Sequence, residues 1–291
     1  MMRKIRIILE MIKFEHSLFA LPFAFVGAIL GSVMMLDRLP TWGEIGWITV
    51  AMVGARSAAM ALNRLIDRAI DARNPRTANR AIPAGLIGIP EVVVFILASF
   101  ALLFIAAFNL NPLVVRLLPI AVFALVFYHY TKRFTWLCHV ILGFTIALAP
   151  LGGWLAITGE ANPAAWLLYV SVAFWTAGFD IVYACQDAEF DRAAKLHSIP
   201  ARFGIRRALV IARIFHVIPA SGFLALFWMT DLSWGYLVGA VIALGILAWQ
   251  HTLVKPEDLS RVNMAFFSMN GTLSVVIFAF TLLDLVVLRG W

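Results

Sequence analysis

Apolar residues occur in this chain as long, nearly uninterrupted blocks, without the period of a half-buried helix or strand. Nine blocks can be drawn, at roughly 17–36, 42–62, 90–108, 112–130, 136–157, 163–185, 207–229, 233–253 and 262–288. Each is about 20 residues or more, the length at which a helix crosses ~30 Å of hydrocarbon. Only helices and closed barrels satisfy their backbone polar groups in lipid, and blocks this long predict helices. The expected fold is all-α and polytopic, with nine transmembrane helices. The first block, Ser17 to Leu36, is expected to span the membrane and not to be a cleaved leader, because it lacks a small-residue cleavage site.

Composition agrees with lipid as the solvent. Of 291 residues, 63% are hydrophobic and 13% charged, about half the charged share of a soluble domain. The formal charge of +7 is compatible with nucleic acid, but its distribution points elsewhere. Alternate connections hold Arg3, Lys4, Arg6 and Lys13, then Arg64 to Arg80, Lys132 and Arg133, Arg192 to Arg207, and Lys255 with Arg261. The opposite side has only Arg38, Arg116 and Arg289. That asymmetry predicts a cell (inner) membrane protein with its N-terminus and basic side in the cytoplasm and its C-terminus outside. Basic charge then reports topology, and no nucleic-acid partner is expected. Cys138 and Cys185 lie near cytoplasmic span ends, where they are expected to be small buried residues without a disulfide.

No linker or low-complexity stretch divides the chain, so residues 1–291 are expected to form one domain. Two cytoplasmic connections, about Asn63 to Gly88 and Asp187 to Gly204, are long and carry acidic as well as basic residues. They resemble each other. Asn63-Arg-Leu-Ile-Asp67-Arg-Ala-Ile-Asp71 corresponds to Tyr183-Ala-Cys-Gln-Asp187-Ala-Glu-Phe-Asp191 at a separation of 187 − 67 = 120 residues.

Asp67 and Asp71 are four apart, as are Asp187 and Asp191. Helical spacing of that kind puts both carboxylates of a pair on one face, where like charges repel. Basic neighbours or a divalent cation must offset four carboxylates at a membrane edge. Magnesium suits the second option, because it takes oxygen ligands and is usually shared between a few carboxylates and substrate phosphates. Arg76 and Arg80 follow the first pair and would add charge for phosphates. Such a site stabilises a departing diphosphate electrostatically.

Arg56 and Asp180 lie deeper, seven residues before Asn63 and seven before Asp187 respectively. Intramembrane charges mark candidate functional sites because burying them is costly. They form either a structural ion pair or an acceptor pocket, with Arg56 holding an anionic aromatic compound and Asp180 orienting or deprotonating it. Tyr128, Lys132 and Arg133 make a third polar group at a span end, either a phosphate clamp or topology signals. His16, beside Glu15, reads as an interfacial or pocket group.

Asn63-Arg64-x-x-Asp67-x-x-x-Asp71, followed by Asn74-Pro-Arg76-Thr and Arg80, resembles the first signature of the UbiA-type intramembrane prenyltransferases. Asp180-x-x-Tyr183-x-x-x-Asp187-x-x-x-Asp191, with Ser198 and Arg202-Phe-Gly downstream, resembles the second, and Glu189 stands between its aspartates. The stretch from Tyr128 to Arg133 and Pro150 in the fifth span fit as well. The resemblance implies a nine-helix bundle around a central cavity, with a cytoplasmic cap and a lateral opening to lipid. It implies Mg2+ and diphosphate at Asn63, Asp67, Asp71, Asp187 and Asp191. Arg80, Lys132 and Arg133 become diphosphate contacts, Tyr183 another substrate-binding residue, and Arg56 and Asp180 lie near the aromatic acceptor.

Phe14-Glu-His-Ser-Leu-Phe-Ala-Leu-Pro22 and Gly54-Ala-Arg-Ser57 resemble the 4-hydroxybenzoate polyprenyltransferase group, particularly its relatives in the futalosine route to menaquinone. The expected reaction moves a polyprenyl group from its diphosphate to a hydroxylated aromatic acid, 4-hydroxybenzoate or a dihydroxynaphthoate. A transporter of an anionic solute is the competing class. It is disfavoured because the acidic clusters share one face of the membrane. A lipid-head-group transferase would carry a dense Asp-Gly-x-x-Ala-Arg signature, which is absent. Oligomeric state is not legible.

Overall fold

The computed structural model describes residues 2–12 and 17–291. Lys13, Phe14, Glu15 and His16 lie outside the described residues, and with them the expectation for His16 and part of the Phe14–Pro22 motif. Helices account for the fold: α1 (Met2–Met11), α2 (Ser17–Leu36), α3 (Trp42–Ile66), α4 (Arg68–Asp71), α5 (Ile89–Phe108), α6 (Pro112–Thr131), α7 (Cys138–Ile146) and α8 (Leu148–Thr158). They continue with α9 (Pro163–Ala184), α10 (Ala188–Ala193), α11 (Ile199–Phe203), α12 (Ile205–Met229), α13 (Trp234–Leu253) and α14 (Asn270–Leu282). Among the described residues, the only β pairing is an isolated bridge between Lys255 and Asp258.

Eight of the expected spans are long and apolar enough to cross a membrane, by length and composition. The other is α2, whose described apolar stretch is Leu21–Leu36. The last span is α14 flanked by two wide turns, Met264–Met269 and Leu283–Leu288. The fifth expected span, observed as Cys138–Thr158, is interrupted by one residue. It breaks at Ala147 between α7 and α8. Pro150 has no N–H for a helical bond, and its ring crowds the carbonyl four residues back, at Ile146.

The helices pack mainly as α2 with α8, α3 with α5, α9 with α7 and α12, and α13 with α14. Lipid offers no hydrophobic drive between spans, so close backbone approach matters more. Gly27 and Gly153 supply it reciprocally. A Cβ on Gly27 would lie 2.0 Å from the Pro150 carbonyl oxygen, and one on Gly153 2.2 Å from that of Ala24. Trp154, Phe223 and Tyr236 fill the interior, while Phe123, Trp228 and Trp249 are exposed on the perimeter, the side expected to face lipid.

Helix α1 docks Ile7, Ile8 and Met11, with Ile12 just beyond its end, against a cluster that includes Ala61, Ile87, Val92 and Ile96. At one end of the bundle, the connections after α3, α6 and α9 are stitched together. Asn74 donates to Asp187 (3.0 Å), and the His197 N–H donates to the Lys132 carbonyl (2.7 Å). Polar groups therefore converge at that end. At the far end, Arg38 instead makes a bidentate pair with Glu44, at 2.9 and 2.7 Å.

Candidate active site

Both acidic motifs share a local geometry. Asp67 closes α3 and opens α4 with φ −90° and ψ 2°. Asp187 ends a tight turn and opens α10 with φ −101° and ψ 3°. In each motif a kinked first aspartate is followed, four residues on, by a second on a short helix. The amide of Asp71 still donates to the Asp67 carbonyl at 2.8 Å, so the expected one-face relation survives the kink. The resemblance between the two connections is thus structural as well as sequential.

Asp67, Asp71, Asp187 and Asp191 line one cavity of about 240 Å³. Asn63, Arg76, Arg80, Tyr128, Lys132, Asp180 and Tyr183 line it too. Arg133 reaches Asp67 from outside this lining. Arg56 is also outside it, two helical turns before Asn63 on α3. Its charge acts on Tyr128, as does that of Asp180, which places the three in one neighbourhood.

Each of three aspartates has a cationic partner. Lys132 Nζ donates to Asp67 Oδ2 at 2.6 Å and Arg133 Nη2 to Asp67 Oδ1 at 3.0 Å. Arg80 Nη1 is 2.8 Å from both oxygens of Asp71. Arg76 binds Asp187 through Nε to Oδ1 at 2.9 Å and Nη2 to Oδ2 at 2.5 Å. Burial acts to lower the Arg76 pKa, but its bonds to Asp187 hold the guanidinium above its ordinary value. Asp191 is half-buried and accepts from Ser198.

Asn63 takes a specific role in this arrangement. Its carbonyl oxygen accepts from Arg64 Nη1 at 3.0 Å, and its amide nitrogen donates to Asp67 Oδ2 at 3.2 Å. A hard cation would need the carbonyl oxygen. In this rotamer Asn63 orients Asp67, so direct ligation requires the amide to turn.

The donor set fits a magnesium ion shared with phosphate. Among the described residues, no group of three or more His, Cys, Asp or Glu side chains forms a ready-made cage. Magnesium seldom uses such a cage, taking one or two carboxylates with water and phosphate oxygens. The four aspartates share this space with four cations, Arg76, Arg80, Lys132 and Arg133, which are paired with Asp187, Asp71 and Asp67. A multiply charged diphosphate entering this balanced site must bring compensating positive charge with it.

Sequence reasoning passed over His139, His129 and Thr77, which also line the cavity. His139 Nδ1 lies 2.6 Å from Asp180 Oδ2. Thr77 donates to the Asp71 carbonyl at 3.0 Å, and His129 Nδ1 is 3.3 Å from the Asn63 amide nitrogen. Asn74 stood in the first signature without a role and proves to be a donor to Asp187. Of the two cysteines, both free, Cys185 is buried as expected and Cys138 is half-buried.

Comparison with known proteins gives this arrangement a context. The UbiA prenyltransferase family model matches residues 20–272. The chain is similar to the apo structure of a UbiA homologue from Aeropyrum pernix K1, with TM-score 0.84 and 30% identity, covering 93% of this chain and 98% of that one. It shares the fold of an Archaeoglobus fulgidus UbiA homologue bound to GPP and Mg2+, with TM-score 0.76 and 20% identity over 94% of this chain and 97% of the other. A 4-hydroxybenzoate octaprenyltransferase of Saccharophagus degradans is 29% identical over 251 residues, 85% of this chain and 82% of that protein. The Aliivibrio fischeri protein of the same name is 30% identical over 238 residues, 80% of this chain and 82% of its own. Since the matched region contains both aspartate motifs and eight of the expected spans are present, the chain belongs to the UbiA prenyltransferase family and is a polytopic membrane prenyltransferase.

Proposed function

We propose that this enzyme transfers a polyprenyl group from its allylic diphosphate to a ring carbon of a hydroxylated aromatic carboxylate, in quinone synthesis. The observation that carries the reading is the sharing of one cavity by Asp67, Asp71, Asp187 and Asp191. The acceptor class rests on the relatives named as 4-hydroxybenzoate octaprenyltransferases. It also agrees with a cationic Arg56 near Tyr128. A dihydroxynaphthoate is a second acid of the same chemistry.

In this reading the carboxylates hold the diphosphate through Mg2+, which when bound neutralises charge developing on the leaving group. Arg76, Arg80, Lys132 and Arg133 turn from their aspartates toward phosphate oxygens and supply further positive charge. The allylic C–O bond breaks, and its electron pair leaves with diphosphate. The electron-rich ring attacks the allylic carbon, and the ring then loses a proton to restore aromaticity. Asp180 orients the acceptor or takes that proton, and Arg56 holds its carboxylate. Tyr128 and Tyr183 line the space between and help exclude water, which would quench the electron-deficient carbon.

The same reading takes residues 1–291 as one domain in the cell inner membrane, N-terminus and cavity cytoplasmic, C-terminus outside. Reporter fusions at the two termini test that orientation.

The direct test supplies purified enzyme with Mg2+, a radiolabelled polyprenyl diphosphate, and 4-hydroxybenzoate or a dihydroxynaphthoate. Labelled prenylated acid is expected. Asp67→Ala and Asp187→Ala should each lower turnover by about 100-fold or more, the scale of losing one electrostatic stabiliser. Undiminished turnover in both variants sinks the metal assignment.

A further inference from the structure

We propose that His139 is the positioning residue for Asp180. Its imidazole fixes the orientation of that carboxylate at the cavity wall and ties it to the segment around Ser198. This rests on the reading of Asp180 as the residue that meets the aromatic acceptor.

His139 lies in the first turn of α7 with its side chain 4% exposed, and Asp180 lies on α9 with its side chain 23% exposed. Both line the cavity. Nδ1 of His139 is 2.6 Å from Asp180 Oδ2. On the other side of the ring, the Ile199 amide donates to Nε2 at 3.3 Å. A backbone N–H can only donate, so Nε2 must present its lone pair. The ring proton then resides on Nδ1, where it is donated to the Asp180 carboxylate. The fold therefore selects one tautomer, as the hydrogen bond at one ring nitrogen decides the state of the other.

Ile199 is itself held. It is fully buried, and Ser198 before it accepts from the Ala201 amide at 3.2 Å while capping α11. Two residues upstream, the His197 N–H donates to the Lys132 carbonyl at 2.7 Å, and Cys138 Sγ lies 3.3 Å from the His197 carbonyl. The imidazole thus bridges a fixed backbone amide and a functional carboxylate. It commits one oxygen of Asp180 and leaves the group's remaining acceptor capacity for the cavity. Outer partners that orient a functional ligand are typically worth about 10- to 100-fold in activity.

Substitutions at position 139 separate the two ring nitrogens. His139→Asn places an amide N–H near the position of Nδ1, His139→Gln places it nearer Nε2, and His139→Phe provides neither. His139→Phe is expected to lower kcat/KM for the aromatic acid by about 10- to 100-fold, with KM for the prenyl diphosphate within about twofold of wild type. His139→Asn should recover most of that loss, and His139→Gln should not. Binding of prenyl diphosphate in the presence of Mg2+, followed by tryptophan fluorescence, checks that each variant keeps its site.

Wild-type acceptor kinetics in His139→Phe overturn the proposal, as does an Asn variant no better than Gln. The Asn–Gln comparison decides the matter should the Phe variant fail to fold. Asp180→Asn is measured in parallel. If it keeps wild-type acceptor kinetics, the reading of Asp180 fails; if it loses them while His139→Phe does not, only the positioning role fails.

Discussion

Arg76 grips Asp187 through two nearly parallel hydrogen bonds, although 111 residues separate them in the chain. The pair joins the connection after α3 to the connection after α9, with Asn74 donating to the same carboxylate. The guanidinium also stands 5.6 Å from the Tyr183 ring centroid. Two halves of the polar end are thereby held as one wall of the cavity.

Planar, bidentate geometry is what a lysine cannot reproduce. Arg76→Lys is therefore expected to behave almost as Arg76→Ala. Both should raise KM for the prenyl diphosphate and lower kcat/KM by about 10- to 100-fold, the worth of one or two charge-assisted hydrogen bonds. Steady-state kinetics with the diphosphate as varied substrate measure this, and a fully active lysine variant counts against the bidentate role.

Asp67 is 1% exposed and faces both Lys132 and Arg133. In Asp67→Asn those two cations lose their partner but, with side chains 31% exposed, can turn toward water. The stability cost should therefore be modest, about 1–3 kcal/mol, while transfer falls by about 100-fold. Thermal denaturation in detergent and the transfer assay, run on the same preparation, separate the two effects.

Metal removal should be decisive and reversible. Chelation is expected to abolish transfer and Mg2+ to restore it. Asp67, Asp71 and Asp187 are already paired with Lys132, Arg133, Arg80 and Arg76, and Asp191 accepts from Ser198, so the chelated protein should remain folded. Circular dichroism before and after chelation tests that second half, and loss of helix on chelation would contradict it.

At the opposite end of the bundle, Asp284 caps α13 from the last span. Its oxygens accept from the Ser233 amide at 2.7 Å, the Tyr236 amide at 3.2 Å and the Ser233 hydroxyl. The carboxylate is fully buried, so Asp284→Ala leaves helix-end donors without a partner. A loss of about 1–3 kcal/mol is expected. KM values should stay at wild type, because the cavity lies elsewhere; altered acceptor kinetics would show the two ends to be coupled.

Gly153→Ala should destabilise by about 1–3 kcal/mol, since the new methyl would press on the Ala24 carbonyl and part α2 from α8. Gly245→Ala, with nothing within 4 Å of its Cβ, is the control. There alanine should be neutral or stabilising by up to about 1 kcal/mol, through its higher helix propensity. The melting temperature is expected to fall for Gly153→Ala and to hold or rise for Gly245→Ala.

The spans were legible because hydrocarbon imposes a simple rule, that every polar backbone group be satisfied within a continuous apolar segment. Block lengths alone therefore placed the helices to within a few residues, except where Pro150 breaks the fifth at Ala147. Both aspartate pairs were legible as well, since a carboxylate at a membrane edge is costly and its repetition at equal spacing is conspicuous. Partnership was not legible. No spacing reveals that Lys132 and Arg133 turn to Asp67, that Arg76 crosses to Asp187, or that His139 meets Asp180 across 41 residues. Such contacts depend on which helix ends the packing of α3, α6, α7 and α9 brings together. Local chemistry marks a residue as expensive to bury, and only the assembled bundle decides which neighbour offsets that cost.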